Sequence, residues 1–245
     1  MSIVLDEVEW AEAMLNNARL GKHPFETLQR LAKYYRKYEG CRRQEVREKL
    51  EEYLKMCDPD ISPFHWADII DKAAKAGERG ELIRLDSVGI TESELTTIST
   101  LDGTQRQRLA FTLLCVAKYY NAARPKNNGW VNESMKEIVK LAGLSLTEKK
   151  RRGLIRELYL GGFIGLSRKV DNLNMRVLFI NNDSPVAIRI DDFRNLGNQY
   201  LMHYGGPYIK CESCGLTVRK RCNAQKFCAE CTPSVRDKAQ KQANT

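Results

Sequence analysis

The sequence predicts a mainly α-helical protein with small β elements and a compact metal-binding module near its carboxyl end. Most of the 245-residue chain places apolar residues three and four positions apart, which is the helical period. Two short alternating stretches at 163–169 and 174–180 are typical of a β-hairpin. Four cysteines near the carboxyl end form two Cys-x-x-C pairs, the spacing of a zinc site. The length suffices for two modest domains and this module.

Residues 1–100 are predicted to form an acidic helical domain. Glycines and prolines separate its helical patterns, which cover 6–19, 24–39, 42–56 and 63–76. Thr91 and Glu94 have the spacing of a capping box, which predicts a further helix over 91–101.

This acidic domain is also a candidate degenerate winged helix. Its segment 27–35 (TLQRLAKYY) is similar to 112–120 (TLLCVAKYY) in the second half of the chain. Each segment is followed by two more helical patterns and a strand-like run, which covers 81–90 in the first half. The alternative is a plain helical bundle in which common helix formers match by coincidence.

Residues 101–203 are predicted to form a winged-helix domain. Apolar periodicity gives three helices over 104–122, 132–141 and 147–160. Asp102 is a candidate cap for the first of them, and Ser145 or Thr147 for the third. The two alternating stretches then follow, joined by a turn at Asp171 and Asn172. Three helices followed by a hairpin is the order of elements in a winged helix.

After the hairpin, the pattern predicts one more strand and one more helix. The strand covers 186–190, and the helix runs over 192–203 with Asp191 as its cap. A Gly-Gly-Pro sequence at 205–207 then leads into the predicted zinc ribbon, 204–232. The polar and basic residues 233–245 are predicted to form a flexible tail.

The third helix of the predicted winged helix carries the candidate nucleic-acid-binding residues. They are Lys149, Lys150, Arg151, Arg152 and Arg156 on the helix, with Arg168, Lys169 and Arg176 on the hairpin. Lys149, Arg152 and Arg156 share one face of the helix. The second helix of a helix-turn-helix enters the major groove by its N-terminal part, where this cluster lies. The alternative is a solvated basic face on a domain that binds only protein.

The net charge of +9 is unevenly shared between the two halves of the chain. Residues 1–100 contain 15 Lys and Arg against 19 Asp and Glu, whereas residues 101–245 contain 25 against 12. This asymmetry favours a polyanionic partner for the second half. We expect DNA, with RNA as the alternative, and a protein partner for the acidic half. The sequence leaves the oligomeric state open.

The two Cys-x-x-C pairs predict a structural zinc ion. Thirteen residues separate them, and the four candidate ligands are Cys211, Cys214, Cys228 and Cys231. The alternatives are a disulfide-stapled module or a thiol redox pair, although a redox motif belongs in a βαβ unit and no such pattern is present. Cys222, between the pairs, is predicted to be a bystander, with metal ligation as the alternative.

The sequence further predicts a soluble, cytoplasmic protein that is not an enzyme. No apolar run approaches the ~20 residues of a membrane span, and the first twenty residues lack the pattern of a signal peptide. Three cysteines are scattered through helical patterns, as in a reducing cytosol: Cys41, Cys57 and Cys115. The phosphate-binding, serine-hydrolase and zinc-protease motifs do not occur, and the three histidines lie far apart in the sequence.

The segment 136–167 (KEIVKLAGLSLTEKKRRGLIRELYLGGFIGLS) resembles the helix-turn-helix of bacterial winged-helix proteins. Together with the ribbon motif YIKCESCG…QKFCAEC, the chain is similar to proteins of bacteriophages and mobile elements in Gram-positive bacteria. That family has no settled activity, so the resemblance implies only a bacterial host cytoplasm. We expect DNA binding in transcription or replication control. The alternative is a phage-encoded protein-interaction factor that inhibits a host defence complex of the CRISPR type, or a polymerase.

Overall fold

The computed structural model describes residues 3–167 and 174–232, and the chain divides into two compact units, Met1–Asp86 and Ser87–Thr245. Helices dominate both units and the strands are short. The prediction of a mainly α fold with small β elements is therefore confirmed. The predicted tail, the hairpin turn, and the candidate residues Arg168 and Lys169 lie outside the described residues.

The first unit contains four helices, close to the predicted bounds: α1 (Glu7–Asn17), α2 (Pro24–Lys37), α3 (Arg43–Cys57) and α4 (Pro63–Gly77). Asp6 caps α1 through its carboxylate, which accepts hydrogen bonds from the N–H groups of Val8 and Glu9 at 2.7 and 3.0 Å. Ala11 of α1 is fully buried in its core, and the largest fully buried side chains there are Leu28, Leu31, Leu50, Tyr53, Leu54 and Ile70. This apolar core holds the four helices together.

Helices α2 and α4 of the first unit pack unusually close to each other. A Cβ atom at Gly77 would lie 2.7 Å from the backbone carbon of Ala32, so only glycine fits at this position. Beside this contact, the buried carboxylate of Glu7 accepts hydrogen bonds from Lys33 Nζ at 2.5 Å and from the N–H of Ile83 at 2.9 Å. A single carboxylate thus joins α1, α2 and the segment after α4.

The second unit begins with β1 (Val88–Thr91) and α5 (Glu92–Ser99), which precede its long central helix, α6 (Thr104–Ala123). The next elements are β2 (Trp130–Val131), α7 (Met135–Leu141), α8 (Glu148–Leu160), β3 (Ile164–Leu166) and β4 (Met175–Val177). The last are β5 (Val186–Ile190), α9 (Leu196–His203), β6 (Tyr208–Lys210) and β7 (Thr217–Arg219). Every residue from 109 to 120 of α6 is buried, because other elements of the unit surround this helix.

The strands of the second unit form three small antiparallel sheets. The first has the order β2-β4-β3, with Ile164 opposite Val177 in the predicted hairpin and Trp130 opposite Arg176. The second pairs β1 with β5, and the third pairs β6 with β7. The hairpin and the strand β5 were predictable from alternation. The two-residue strand β2 was not, since it is too short to show a period.

The pairing of β1 bears on the suggested second winged helix. Of the strand-like run 81–90, only its end belongs to a strand, and that strand pairs with β5 inside the second unit. In its described residues, the first unit contains helices and one isolated bridge, between Asp6 and Arg84. The secondary structure of these residues is that of a plain helical bundle, and it lacks the hairpin that a winged helix needs.

Two predicted helix caps are wrong, and two are confirmed. Helix α6 follows Gly103 without a side-chain cap, and Asp102 offers only its backbone carbonyl, to Arg106 Nη1 at 2.7 Å. Helix α9 begins after Asn195, and the carboxylate of Asp191 pairs with Lys210 at 2.9 Å. Thr147 caps α8 as predicted. The capping box of Thr91 and Glu94 is also present at the start of α5.

A buried ion pair joins the beginning of the second unit to its centre. The side chain of Glu94 is fully buried and that of Lys118 is 9% exposed, with Nζ 2.8 Å from the carboxylate. The same carboxylate accepts hydrogen bonds from the N–H groups of Thr91 and Asn181 at 2.8 and 3.0 Å. Because every charge here has a partner, burial is tolerated, and α5, α6 and the segment before β5 are tied together.

Within residues 3–167 and 174–232, no helix combines the length and the apolar character that crossing a bilayer requires.

Candidate metal centre and basic surface

The structure brings the four predicted cysteine ligands together. The sulfur atoms of Cys211, Cys214, Cys228 and Cys231 all lie within 4.8 Å of one another. The Sγ atoms of Cys214 and Cys228 are 3.8 Å apart. Four thiolates at about 2.3 Å from a tetrahedral metal ion would lie about 3.8 Å from each other, so the cluster has the dimensions of a metal site.

Two tight turns position these sulfurs. After β6, the N–H of Gly215 donates to the carbonyl of Cys211 at 2.9 Å, and Gly215 takes a φ of 73° that favours glycine. The second pair approaches from the other side, where the N–H of Cys228 donates to Cys211 Sγ at 3.3 Å. A backbone hydrogen bond of 3.0 Å from Glu212 to Lys226 joins the two turns.

The surroundings of the sulfurs change their pKa values in opposite directions. Burial opposes ionisation of the Cys211 thiol. Backbone N–H groups of Cys228, Cys214 and Ser213 outweigh burial and lower its pKa to about 6. For Cys231, a hydrogen bond with Ser213 lowers the pKa, but the neighbouring sulfurs outweigh it and raise the value to about 12. A cation among the four sulfurs would relieve this crowding of negative charge.

Cys222 does not belong to the cluster. Its side chain is exposed on the loop between the two pairs, and it is not among the residues whose sulfurs converge. Four cysteine ligands fill the coordination sphere of a tetrahedral ion, which leaves no open position for a substrate.

The start of α9 and the residues just before it contact the region of the four cysteines, through bonds that the sequence did not predict. Arg194 pairs with Asp192 at 2.7 Å and donates from Nη2 to the carbonyl of Cys214 at 2.6 Å. Asn198 donates from Nδ2 to the carbonyl of Thr217 in β7 at 3.2 Å. These bonds join residues about 20 positions apart that carry no common motif, so spacing alone gives no signal for them.

The candidate nucleic-acid-binding residues of α8 lie at the surface. Lys149, Lys150, Arg152 and Arg156 are exposed, and Arg151 is half-buried. Arg152 forms an ion pair with Glu148 one turn earlier, and its side chain remains 80% exposed. Within the described residues, Lys149, Lys150 and Arg156 have no carboxylate oxygen within 4.0 Å. Three cations of this helix are thus available to an external anion.

The hairpin contributes one described candidate, Arg176. This residue is half-buried in β4, and its Nε donates to the carbonyl of Asn128 at 2.9 Å. Its guanidinium is therefore partly engaged within the protein. Its guanidinium is less available to an external anion than the cations of α8.

A groove of about 710 Å³ runs between the start of α6 and the first turns of α8. Its lining includes Lys149, Lys150 and Gly153 from α8, with Thr104 and Gln105 from α6. At its side, Arg106 and Glu157 form an ion pair of 2.5 Å, and the hydrogen bond between them raises the pKa of Arg106 and lowers that of Glu157. The sequence predicted the lysines but not the groove, because α6 and α8 meet only in the folded unit.

The turn between α7 and α8 is held from below by Arg108 of α6. Its guanidinium donates to the carbonyls of Ala142 and Gly143 at 2.8 and 2.7 Å, which satisfies the end of α7. Burial lowers the pKa of Arg108. Gly197 of α9 lies against the same turn, where a Cβ atom would be 2.1 Å from the carbonyl oxygen of Ala142. The orientation of α8 therefore depends on α6 and α9.

Comparison of the chain with models of protein families, with curated proteins and with solved structures finds no match in any of the three.

Proposed function

We propose that the second unit is a winged helix with a zinc ribbon and that it binds nucleic acid, with DNA as the expected ligand. The observation that carries this proposal is the exposed set of cations on α8, three of which have no carboxylate partner among the described residues. Long basic side chains without internal partners can neutralise phosphates and release the counterions that surround them.

The order of elements supports a winged-helix interpretation. Helices α6, α7 and α8 precede the hairpin of β3 and β4, and β2, which lies between α6 and α7, pairs with β4. A short turn joins α7 to α8. In that interpretation α8 enters the major groove by its N-terminal part, and the hairpin of β3 and β4 contacts the neighbouring backbone. Arg176, Arg168 and Lys169 would be the wing residues.

Zinc is the metal that the four cysteines fit best. Four thiolates in a tetrahedral arrangement are typical of structural zinc sites, and bound zinc would stabilise the ribbon without taking part in a reaction. Cys211, Cys214, Cys228 and Cys231 would hold the ion. The hydrogen bonds from Arg194 and Asn198 would connect the stabilised ribbon to α9.

We infer a role in transcription or replication control of a bacteriophage or mobile element, in the host cytoplasm. This inference rests on the resemblance of 136–167 and of the ribbon motif. The first unit would contact a protein partner. Six of its cations form ion pairs with its own carboxylates: Lys33, Lys37, Arg43, Arg47, Lys49 and Arg84. That neutralisation makes the unit less suited to DNA than α8.

A salt titration of DNA binding tests the proposal. We expect Lys149→Glu with Arg156→Glu to weaken binding to a short duplex. The negative slope of log K against log salt should become less steep by about 2, because each lost phosphate contact reduces the magnitude of the slope by about 0.9. The matched control is Lys72→Glu with Lys75→Glu on α4, which makes the same change in net charge at two exposed positions of the first unit. This control should preserve the slope.

Equal affinity and slope in both double variants would contradict the proposal. The alternative of a protein-interaction factor would then be favoured, and a stoichiometric partner recovered from nuclease-treated host lysate would support it. Repeating the titration with duplex RNA decides between the two polymers, because the deep and narrow major groove of RNA does not admit a helix.

A further inference from the structure

Gly153 is half-buried and occupies the middle of α8, on the face that carries the cations. It follows Lys149 by four residues and precedes Arg156 by three, so the three residues lie on the same side of the helix. Gly153 also lines the groove between α6 and α8. It is the one position on this face, between the two cations, without a side chain.

Most glycines of the chain have a conformational or packing reason to be glycine. Nine take a positive φ, for example Gly143 at 63° and Gly215 at 73°. Others have no room for a side chain, as at Gly77 and Gly197. Gly153 has neither reason. Its φ is not positive, and a Cβ atom built there would meet no described atom within 4 Å.

A glycine in the middle of a helix also weakens that helix. Glycine loses more backbone freedom on folding than alanine does, so alanine would stabilise α8 at this position. Because no atom of residues 3–167 and 174–232 fills the space beside Gly153, the described part of the fold does not explain the glycine. Close approach of a ligand to the backbone is a further role that glycine serves.

We propose that Gly153 is a spacing residue of the nucleic-acid interface. The missing side chain lets the sugar-phosphate backbone of a duplex lie directly against α8, with Lys149 and Arg156 on either side of the contact. A strand in this position continues into the groove that Gly153 and Lys150 line. This inference rests on the proposed function and adds the point of closest approach.

Two substitutions at Gly153 test the proposal in the full chain. Gly153→Ala should raise the Tm by about 2 °C, since alanine is the better helix former, and should nevertheless weaken duplex binding. Gly153→Leu should weaken binding by about tenfold or more, because a larger side chain holds the phosphates away from the flanking cations. The opposite signs of the two effects separate a spacing role from a role in folding.

Ala122→Leu provides the matched control. Ala122 is exposed near the end of α6, about 27 Å along that helix from Thr104 at the groove. The added bulk there should leave duplex affinity within about twofold of the parent protein.

Three outcomes would overturn the inference. If both Gly153 variants bind like the parent while Lys149→Glu with Arg156→Glu binds weakly, the interface stands and the spacing role is wrong. If Gly153→Ala lowers the Tm, the glycine serves the fold instead. If the parent chain has no affinity for a duplex, the proposed function fails and this inference fails with it.

Discussion

At the scale of single residues, Gly197 and Arg108 fix the turn that orients the basic helix. The guanidinium of Arg108 satisfies the carbonyls at the end of α7, and Gly197 lets α9 approach the same carbonyls without a side chain between them. Neither residue touches the proposed nucleic acid. In the proposed complex, both would contribute to binding through the position of α8.

Gly197→Ala should destabilise the second unit. Its new Cβ atom would lie 2.1 Å from the carbonyl oxygen of Ala142 and 2.6 Å from Arg108 Nε, so backbone must move. We expect a loss of about 2 kcal/mol or more in the free energy of unfolding, measured by urea denaturation. Gly153→Ala is the matched control, because the same substitution in open space should have the opposite sign. A neutral effect of Gly197→Ala would show that the turn adapts to the added methyl group.

At the scale of elements, the hairpin of β6 and β7 would depend on a metal ion held by the four cysteines. These strands have three residues each, too few to be stable alone, and the cysteine turns are what hold them in place. The fixed spacing of the cysteines made this site predictable, because all four ligands lie within 21 residues.

Cys228→Ser should abolish metal binding. With one of four ligands replaced, the zinc content measured by mass spectrometry should fall from about one ion per chain towards zero. Trypsin should then cleave faster at the exposed Arg219 and Arg221. Cys222→Ser is the control and should keep the metal, because this cysteine lies outside the cluster. Loss of metal from Cys222→Ser alone would overturn the assignment of ligands.

The helices were predictable to within a few residues, and so was the hairpin of β3 and β4, but the partners of β1 and β2 were not. The bounds of α8 follow from a local pattern, with Thr147 as its cap and glycines at its end. The pairing of β1 with β5 has no local signal, since both strands are short and their residues lie far apart in the sequence. Arg108 and Arg194 were missed for the same reason, as their partners come together only on folding.

At the scale of the whole molecule, the boundary between the two compact units falls after Asp86, ahead of the sequence-based boundary at residue 100. The difference comes from two elements of the second unit: β1 pairs with β5, and α5 packs on α6. Elements that follow the acidic helices in the sequence thus belong to the basic unit. Glu94 makes this attachment strong, because it neutralises the buried Lys118.

Two fragments of the chain should therefore differ in stability. The fragment 87–245 retains Glu94 and should fold and bind nucleic acid. The fragment 101–245 leaves Lys118 buried without its carboxylate, and we expect it to lose about 3–5 kcal/mol of stability. Circular dichroism during thermal unfolding measures the stability of each fragment. Equal melting of the two fragments would mean that β1 and α5 are dispensable.

The antiparallel pairing of Val88 with Ile190 also determines the order in which the two units can fold during translation. About a hundred amino acids must leave the ribosome after Val88 before its partner strand exists, whereas the four amino-terminal helices can pack as soon as they emerge. During translation, the first unit would thus be folded while the second unit was still incomplete. Chaperones and proteases would meet the positively charged half of this polypeptide in its unprotected form.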